Sequence, residues 1–310
     1  MTTTESKSEK LNLTQSLLFR NSCPICANPS TQKEIAFDGF EISYCSHCQL
    51  RFQSAYLNDD MMDRINKSEE LRDFYFPECA HYFDIPNREA YIQGMSPRWK
   101  SWLEFAEKSV KGRKLLDLGC GTGEFLSFAQ VRGWNVSGVD YDPENTAKVR
   151  DLFHIPCETG DLTKWEGNRS GPDMISLFDV LEHFIDPNRI LEVCHRELND
   201  DGLLLIAVPN DRNFLSILAR WFSRLSFGAI KKPARLMYEF DHRSFFSPAA
   251  LKTILKKNKF KVVRVFLDET NLSRLELGFL TKRLLNVIFF FSRLFGFQNR
   301  VLVFAKKDIS

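Results

Sequence analysis

The stretch from Lys114 to Arg132 constrains this chain most. Lys114-Leu-Leu-Asp-Leu is a short apolar run, Gly119-Cys-Gly-Thr-Gly123 breaks it, and Glu124 to Arg132 continues at helical spacing until Gly133. A strand, a glycine-rich turn and a helix in that order open a parallel α/β unit. The pattern recurs downstream. Asn135 to Asp140 reads as a strand, and Asp142-Pro143 as a helix cap with proline at the first helical position. Asp173 to Val180 is another strand, Asp186-Pro187 another cap and helix start, and Leu203 to Val208 a further strand. Upstream, Trp99, Trp102, Leu103, Phe105 and Ala106 form a helical stripe that ends near Gly112. Strands alternating with helices predict an α/β fold whose parallel sheet is covered on both faces. Its ligand then lies beyond the C-terminal strand ends.

The residues at those strand ends select the ligand. Glycines 119, 121 and 123 let backbone approach a bound molecule, and on their own they also fit a plain strand-to-helix turn. A dinucleotide fingerprint needs a third glycine at position 124, which is Glu, and Asp117 sits poorly beside a pyrophosphate. Asp140 ends the second strand, twenty-three residues past Asp117, where a carboxylate can accept from both hydroxyls of a ribose. Gly160-Asp161-Leu162 follows a third strand and can read an adenine edge. Three acidic strand ends describe a pocket for an adenosine that carries positive charge and no phosphate.

The first fifty residues hold a second signal. Cys23 and Cys26 form one C-x2-C pair, Cys45 and Cys48 another, with eighteen residues between. That is the spacing of a tetrathiolate zinc site on two tight turns; a disulfide pair or unrelated thiols are the alternatives. The alternation through Glu41-Ile-Ser-Tyr44 and Leu50-Arg-Phe52 adds short strands around the second pair, which makes a zinc ribbon. Cys79, Cys120, Cys157 and Cys194 are scattered and read as small buried apolar residues. Residues 1–20 read as a flexible lead-in, 21–55 as the ribbon and 56–96 as an aromatic connecting segment. With 310 residues, two domains are expected. Forty-two basic against forty acidic residues leave a formal charge of +2, and the ribbon has no basic cluster beside its cysteines, so no nucleic-acid partner is expected. The polar N-terminus and the lack of a membrane-length apolar run predict a cytoplasmic protein with reduced thiols.

DLGCGTGEF, GVD, GDL and FDVLEHFIDP, in that order and at this spacing, resemble the class I S-adenosylmethionine-dependent methyltransferases over roughly 97–306. The resemblance implies a Rossmann-like seven-stranded sheet whose last strand, Val301 to Lys306, runs antiparallel beside Lys261 to Asp268. It implies S-adenosylmethionine as cofactor, with Asp117 and Gly119 beside its methionine part and Gly121 packed under it. By the same resemblance Asp140 holds the ribose, Asp161 and Leu162 the adenine, and Phe178 lines the methyl-facing wall. The CPIC and YCSHC ribbon ahead of such a domain resembles a subset that often acts on sugars and other cell-envelope or secondary metabolites. The domain then occupies 97–310.

On the acceptor side, Asp179, Glu182 and His183 follow the fourth strand. Methyl transfer from a sulfonium depends on alignment, and a hydroxyl acceptor gains from a base, for which His183 is the candidate. A cap on the loop ahead of Pro187 is the structural alternative. The VLEH element resembles that of ubiquinone-type O-methyltransferases, where such a cluster can hold a divalent metal. His242, in Tyr238-Glu-Phe-Asp-His-Arg243, is a second candidate.

Two insertions complete the reading. Residues 212–236 carry an apolar stripe that includes Trp221 and Phe222, bordered by Arg220, Arg224, Lys231, Lys232 and Arg235. Residues 277–297 carry Leu284, Leu285 and Val287 to Phe291 between Lys282, Arg283 and Arg293. Helices packed on their own core, a lid over an apolar substrate, a homodimer face and peripheral contact with an anionic membrane all fit. The function expected is methyl transfer to a small or lipid-linked acceptor, a hydroxyl of a sugar or similar metabolite. An NAD-dependent oxidoreductase and a non-catalytic zinc-ribbon adaptor are the rivals.

Overall fold

The computed structural model describes residues 16–37, 40–66, 68, 70–71, 88–167, 171–226, 237–272 and 278–309. Part of the expected lead-in, Cys79 and most of the connecting segment's aromatics, Lys231, Lys232, Arg235 and Leu277 lie outside these residues.

The chain opens with an antiparallel sheet of β1 (Leu17–Phe19), β2 (Thr31–Phe37), β3 (Phe40–Cys45) and β4 (Leu50–Leu57), followed by helix α1 (Asp59–Asn66). The first cysteine pair occupies the turn between β1 and β2; of the second, Cys45 ends β3 and Cys48 lies in the turn to β4. Ala27 and Gln49, each directly after the second cysteine of a pair, take positive φ of 56° and 58°, which folds the chain back under the thiols.

Next come α2 (Arg88–Ser109), β5 (Lys114–Leu118), α3 (Glu124–Val131), β6 (Asn135–Asp140), α4 (Pro143–Phe153), β7 (Cys157–Thr159) and β8 (Met174–Phe178). A single 3-10 turn at Leu181–His183, α5 (Pro187–Glu197), β9 (Leu203–Pro209), α6 (Phe214–Leu225) and β10 (Ser244–Phe245) follow. The chain closes with α7 (Pro248–Lys257), β11 (Phe260–Asp268), α8 (Phe279–Phe295) and β12 (Arg300–Lys307). The main sheet is ordered β11-β12-β9-β8-β5-β6-β7. β5 to β9 pair in parallel, and β12 runs antiparallel to both β9 and β11. This is the expected seven-stranded arrangement, last strand included. The capped helix starts are also as read: Asp142 accepts from the Glu144 N–H and Asp186 from the Asn188 N–H. α2 begins earlier than its stripe suggests and carries Pro97 inside it.

The sequence reading places the ribbon at 21–55. Its sheet runs from Leu17 to Leu57, so the lead-in ends where β1 pairs with β4. Beside β1 on the same edge of β4 lies β10, with Ser244 opposite Phe52 and Phe245 opposite Arg51. Ile25, Leu50 and Phe52 are wholly buried in one core with Phe246, Leu251 and Ile254 of the larger domain. A second core joins Ile42, Leu57 and Ile65 to Tyr238, Phe240 and Phe245. The polar contacts cross the same seam: Arg20 donates to the Ile185 carbonyl at 2.7 Å, and Asn188 to that of Pro24 at 2.9 Å. Arg51 bridges Glu34 at 2.6 Å and Asp211 at 2.7 Å. A unit this small buries too little surface on its own. It borrows the rest, and each apolar side chain it inserts is worth roughly 1.5–3 kcal/mol.

Candidate functional site

A cavity of about 290 Å³ opens at the C-terminal ends of the parallel strands. Its wall takes Asp117 from the end of β5, Cys120 to Thr122 from the glycine-rich turn, Asn145 from α4 and Phe178 from the end of β8. Trp99, Trp102 and Phe125 of α2 and α3 also line it, with Asp179, Asp268, Asn271 and Arg300 from the strand ends.

The turn is built by glycine for two different reasons. Gly119 has φ +76°, and a Cβ there would come within 2.3 Å of Val180 Cγ2, so the backbone can run tight against the neighbouring strand end. Gly121 has φ +53° and open space where a Cβ would be. Its amide N–H points back to Asp140, donating to Oδ2 at 2.8 Å, while the Asp142 N–H donates to Oδ1 at 3.0 Å. Asp140 therefore lies just behind the turn and braces it. Gly119 and Asp140 belong to the turn's framework, whereas Asp117, Gly121 and Phe178 reach the cavity wall.

The electrostatics of this end are unusual. Asp117 is 2% exposed and accepts one hydrogen bond, from Ser176 Oγ at 2.6 Å. Burial pushes its pKa up to about 7 against that bond, and the nearby Asp140 carboxylate adds to the rise. Burial also raises Asp140, against the backbone N–H groups it receives. Among the described residues neither has a cationic side chain bridged to it. Two crowded carboxylates without a counter-charge, one of them on a cavity wall, suit a cationic ligand.

Phe178 stacks on Trp102 at 5.7 Å between centroids and meets Phe125 edge-on at 4.7 Å. Asp161 lies off the cavity wall and is exposed, its Oδ1 accepting from the Thr163 N–H and hydroxyl at 2.8 and 2.7 Å. Leu162, also off the wall, is 9% exposed within the core. At the start of α3, Glu124 accepts from the Thr122 hydroxyl at 2.6 Å and pairs with Arg88 at 2.9 Å. A carboxylate thus occupies the helix N-terminus where a pyrophosphate would dock.

The acceptor-side residues form a second group. Asp179, with φ +55°, lies on the wall and pairs with Arg300 at 2.5 Å. Behind it, Glu182, His183 and His242 each offer a ligand atom within 4.8 Å of the others, and so do Glu239, Asp241 and His242. The rings of His183 and His242 meet edge-on at 4.7 Å. His183 Nδ1 lies 3.2 Å from the Asp241 carbonyl and 3.5 Å from its carboxylate. Loss of water lowers the pKa of His183, while Asp241 pulls it upward. Glu182 is 1% exposed, both of its carboxylate oxygens are buried without a hydrogen-bond partner, and burial raises its pKa well above the ordinary carboxylate range. His183 is not on the cavity wall. The sequence names His242 but gives no sign that it meets Glu182 and His183, because the loop at 238–243 returns to this spot only through β10. Ser176 and Arg300, which set the charge balance, carry no sequence signal either: one is an ordinary strand residue and the other an ordinary strand start.

The four ribbon thiols converge. Cys23 and Cys48 sulfurs are 3.4 Å apart, Cys26 and Cys45 3.6 Å, and Cys26 and Cys48 3.8 Å. A tetrahedral zinc with bonds of about 2.3 Å needs sulfur separations of about 3.8 Å. The set fits such an ion.

A family model described as a methyltransferase domain matches residues 91–265, more than half of the chain. The chain belongs to the methyltransferase-domain family. With the strand order above, this bears out the class I S-adenosylmethionine-dependent methyltransferase expected from the motifs, an α/β enzyme fold. Among curated proteins, the ubiquinone biosynthesis O-methyltransferase of Pseudomonas syringae pv. tomato is 24% identical over 156 residues, 48% of this chain and 66% of that protein. The protein of the same name from Dechloromonas aromatica is 29% identical over 147 residues, 44% of this chain and 61% of that one. The alignments thus span under two thirds of these relatives' own length. Among solved structures, a SAM-dependent methyltransferase from Archaeoglobus fulgidus covers 70% of this chain and 94% of its own at 19% identity and a TM-score of 0.47. Another, from Mesorhizobium loti, covers 69% and 98% at 17% identity, also at 0.47. Neither the ribbon nor α8 falls within the matched family region.

Proposed function

We propose that this methyltransferase domain moves a methyl group from S-adenosylmethionine to a hydroxyl of a small or lipid-linked acceptor, a sugar or similar metabolite. The observation that carries the reading is the uncompensated acid pair, Asp117 on the cavity wall and Asp140 behind it. The donor brings an ammonium group and an electrophilic methyl on a sulfonium, and no phosphate. Asp117 takes the ammonium end, the backbone from Gly119 to Gly121 passes beneath the donor, and Asp140 is assigned the ribose hydroxyls, for which its carboxylate must reach past the turn it braces. Asp161 and Leu162 flank the adenine, for which Asp161 must turn from Thr163. Phe178, fixed by Trp102 and Phe125, forms the wall beside the methyl. In the transfer an acceptor oxygen attacks the methyl carbon, the carbon–sulfur bond breaks, and the hydroxyl proton leaves to a base. His183, with Asp241 at its Nδ1, is assigned that role. The names of the curated relatives support oxygen as the atom methylated.

A second reading of the acceptor cluster is favoured by Glu182. Its two unpartnered buried oxygens, with His183 and His242 beside them, suit a divalent cation, which would polarise an acceptor hydroxyl. In that case His183 is a ligand rather than a base. The Cys23, Cys26, Cys45 and Cys48 site is assigned to zinc with a structural role, because four thiolates leave no open position.

The test is to incubate the protein and methyl-labelled S-adenosylmethionine with fractionated extract and with simple phenolic and sugar acceptors. Label on a hydroxyl is expected. His183→Gln is expected to lower kcat, leave donor affinity unchanged and remove the low-pH limb of the rate profile, since a base works only above its pKa. Unchanged kinetics in His183→Gln would remove its role, and label found on nitrogen or carbon would overturn the acceptor class.

A further inference from the structure

Two helices turn their apolar residues outward. α6 buries Ser216 and Ala219, while Trp221, Phe222 and Leu225 are 65%, 52% and 66% exposed. α8 buries Phe289 and Ser292, and Phe279, Leu280, Leu284, Phe290, Leu294 and Phe295 are each 60–79% exposed. Packing on the protein's own core accounts for only part of these stripes: Phe289 is buried and Leu215, Ile217, Leu285 and Ile288 are half-buried, while the larger share of the aromatics stays bare. A solvated helix with this many bare aromatics marks a binding surface.

Both helices leave the sheet at the cavity. The Phe214 N–H at the start of α6 donates to the Phe297 carbonyl just past α8, and the Asn210 N–H donates to the Asn299 carbonyl. The next residues, Arg300 to Leu302, line the cavity.

The charges decide between partners. Neither helix contains Asp or Glu. Arg220 and Arg224 on α6 are committed to Asp211 and Glu34. Lys282, Arg283 and Arg293 on α8 are exposed and make no salt bridge among the described residues. A second copy docked helix to helix would set these cations against their own kind with no acid on either helix to offset them; Glu269, which acts on Arg293, is itself buried. An anionic bilayer complements both the aromatics and the charge. At 17 residues α8 is not long and apolar enough to cross a membrane, so it would lie in the headgroup plane.

We propose that α8, flanked by α6, docks on an anionic lipid surface and holds the cavity mouth against it, so that acceptors dissolved in the bilayer reach the site directly. The acceptor part rests on the methyl-transfer reading. Docking does not, since it is measured without donor or acceptor.

The experiment is sedimentation of the full chain with phosphatidylcholine vesicles, with or without about one-third phosphatidylglycerol, at low and physiological salt. Binding is expected to the anionic vesicles and to weaken with salt. Lys282→Gln with Arg283→Gln and Arg293→Gln should weaken it on the order of 100-fold. Phe290→Ser combined with Phe291→Ser should abolish it; an unchanged circular dichroism spectrum and melting temperature verify the fold of each variant. Absence of binding to either vesicle overturns the proposal. So does equal binding to neutral vesicles untouched by the charge substitutions, or a stable dimer that the phenylalanine substitutions convert to monomer.

Discussion

Replacing Asp117 with Asn separates the cost of the buried acid from its use. In the free protein the carboxyl is held at about 7 against an ordinary 3.8. The folded state therefore binds the proton more tightly than the unfolded chain does, and folding loses stability as pH rises from about 4 to about 7. Three pKa units at about 1.4 kcal/mol each amount to about 4 kcal/mol. Asn keeps the acceptor that Ser176 uses and never ionises. Asp117→Asn should therefore raise the Tm of the free protein at pH 8 by roughly 5–10 °C and remove this group's share of the decline with pH. Binding should move the opposite way. Loss of a hydrogen bond between charged groups, about 1.5–3 kcal/mol, predicts S-adenosylmethionine affinity about 10- to 100-fold weaker. In the unsubstituted protein affinity should strengthen from about pH 6 to 7 and level off above, because only the ionised acid pairs with the ammonium group. Thermal denaturation against pH and titration calorimetry measure both. Affinity that is flat with pH, together with tight binding by the Asn variant, would refute the reasoning.

Asp140→Ala should weaken S-adenosylmethionine by roughly 10- to 100-fold, and it also frees the Gly121 N–H, so calorimetry should be paired with a melting curve. Gly119→Ala meets Val180 Cγ2 at 2.3 Å and is expected to cost several kcal/mol in chemical denaturation, whereas Gly121→Ala has open space and should cost about 1–2 kcal/mol from its positive φ alone. Elemental analysis should find one zinc per chain, and Cys45→Ser should lower the melting temperature of the whole chain in a single transition, because the ribbon and the larger domain share a core.

The parallel sheet was legible because its strands and helices announce themselves locally: Asn135 to Asp140 ends in its acid, and Asp142-Pro143 and Asp186-Pro187 cap helices through their own side chains. The glycine turn was legible for the same reason. What the sequence hid was contact between distant segments. Nothing in Ser244-Phe245 marks it as a strand for β4, since two residues carry no periodicity, so the core shared by the ribbon and the larger domain carries no local signal. Asp179 pairs with Arg300, and His242 meets Glu182, over separations no local pattern records. The stripes on α6 and α8 were visible, but periodicity only groups residues on one face. It cannot say whether that face looks inward, and here only Ser216, Ala219, Phe289 and Ser292 are buried.

The most direct measurement is calorimetric titration of the purified chain with S-adenosylmethionine and, separately, with NAD, followed by incubation with labelled donor and a hydroxyl acceptor. The account predicts one S-adenosylmethionine site per chain, loss of affinity in Asp117→Asn, and label on the acceptor oxygen with an equal yield of S-adenosylhomocysteine. Heat of binding from NAD with none from S-adenosylmethionine would contradict it.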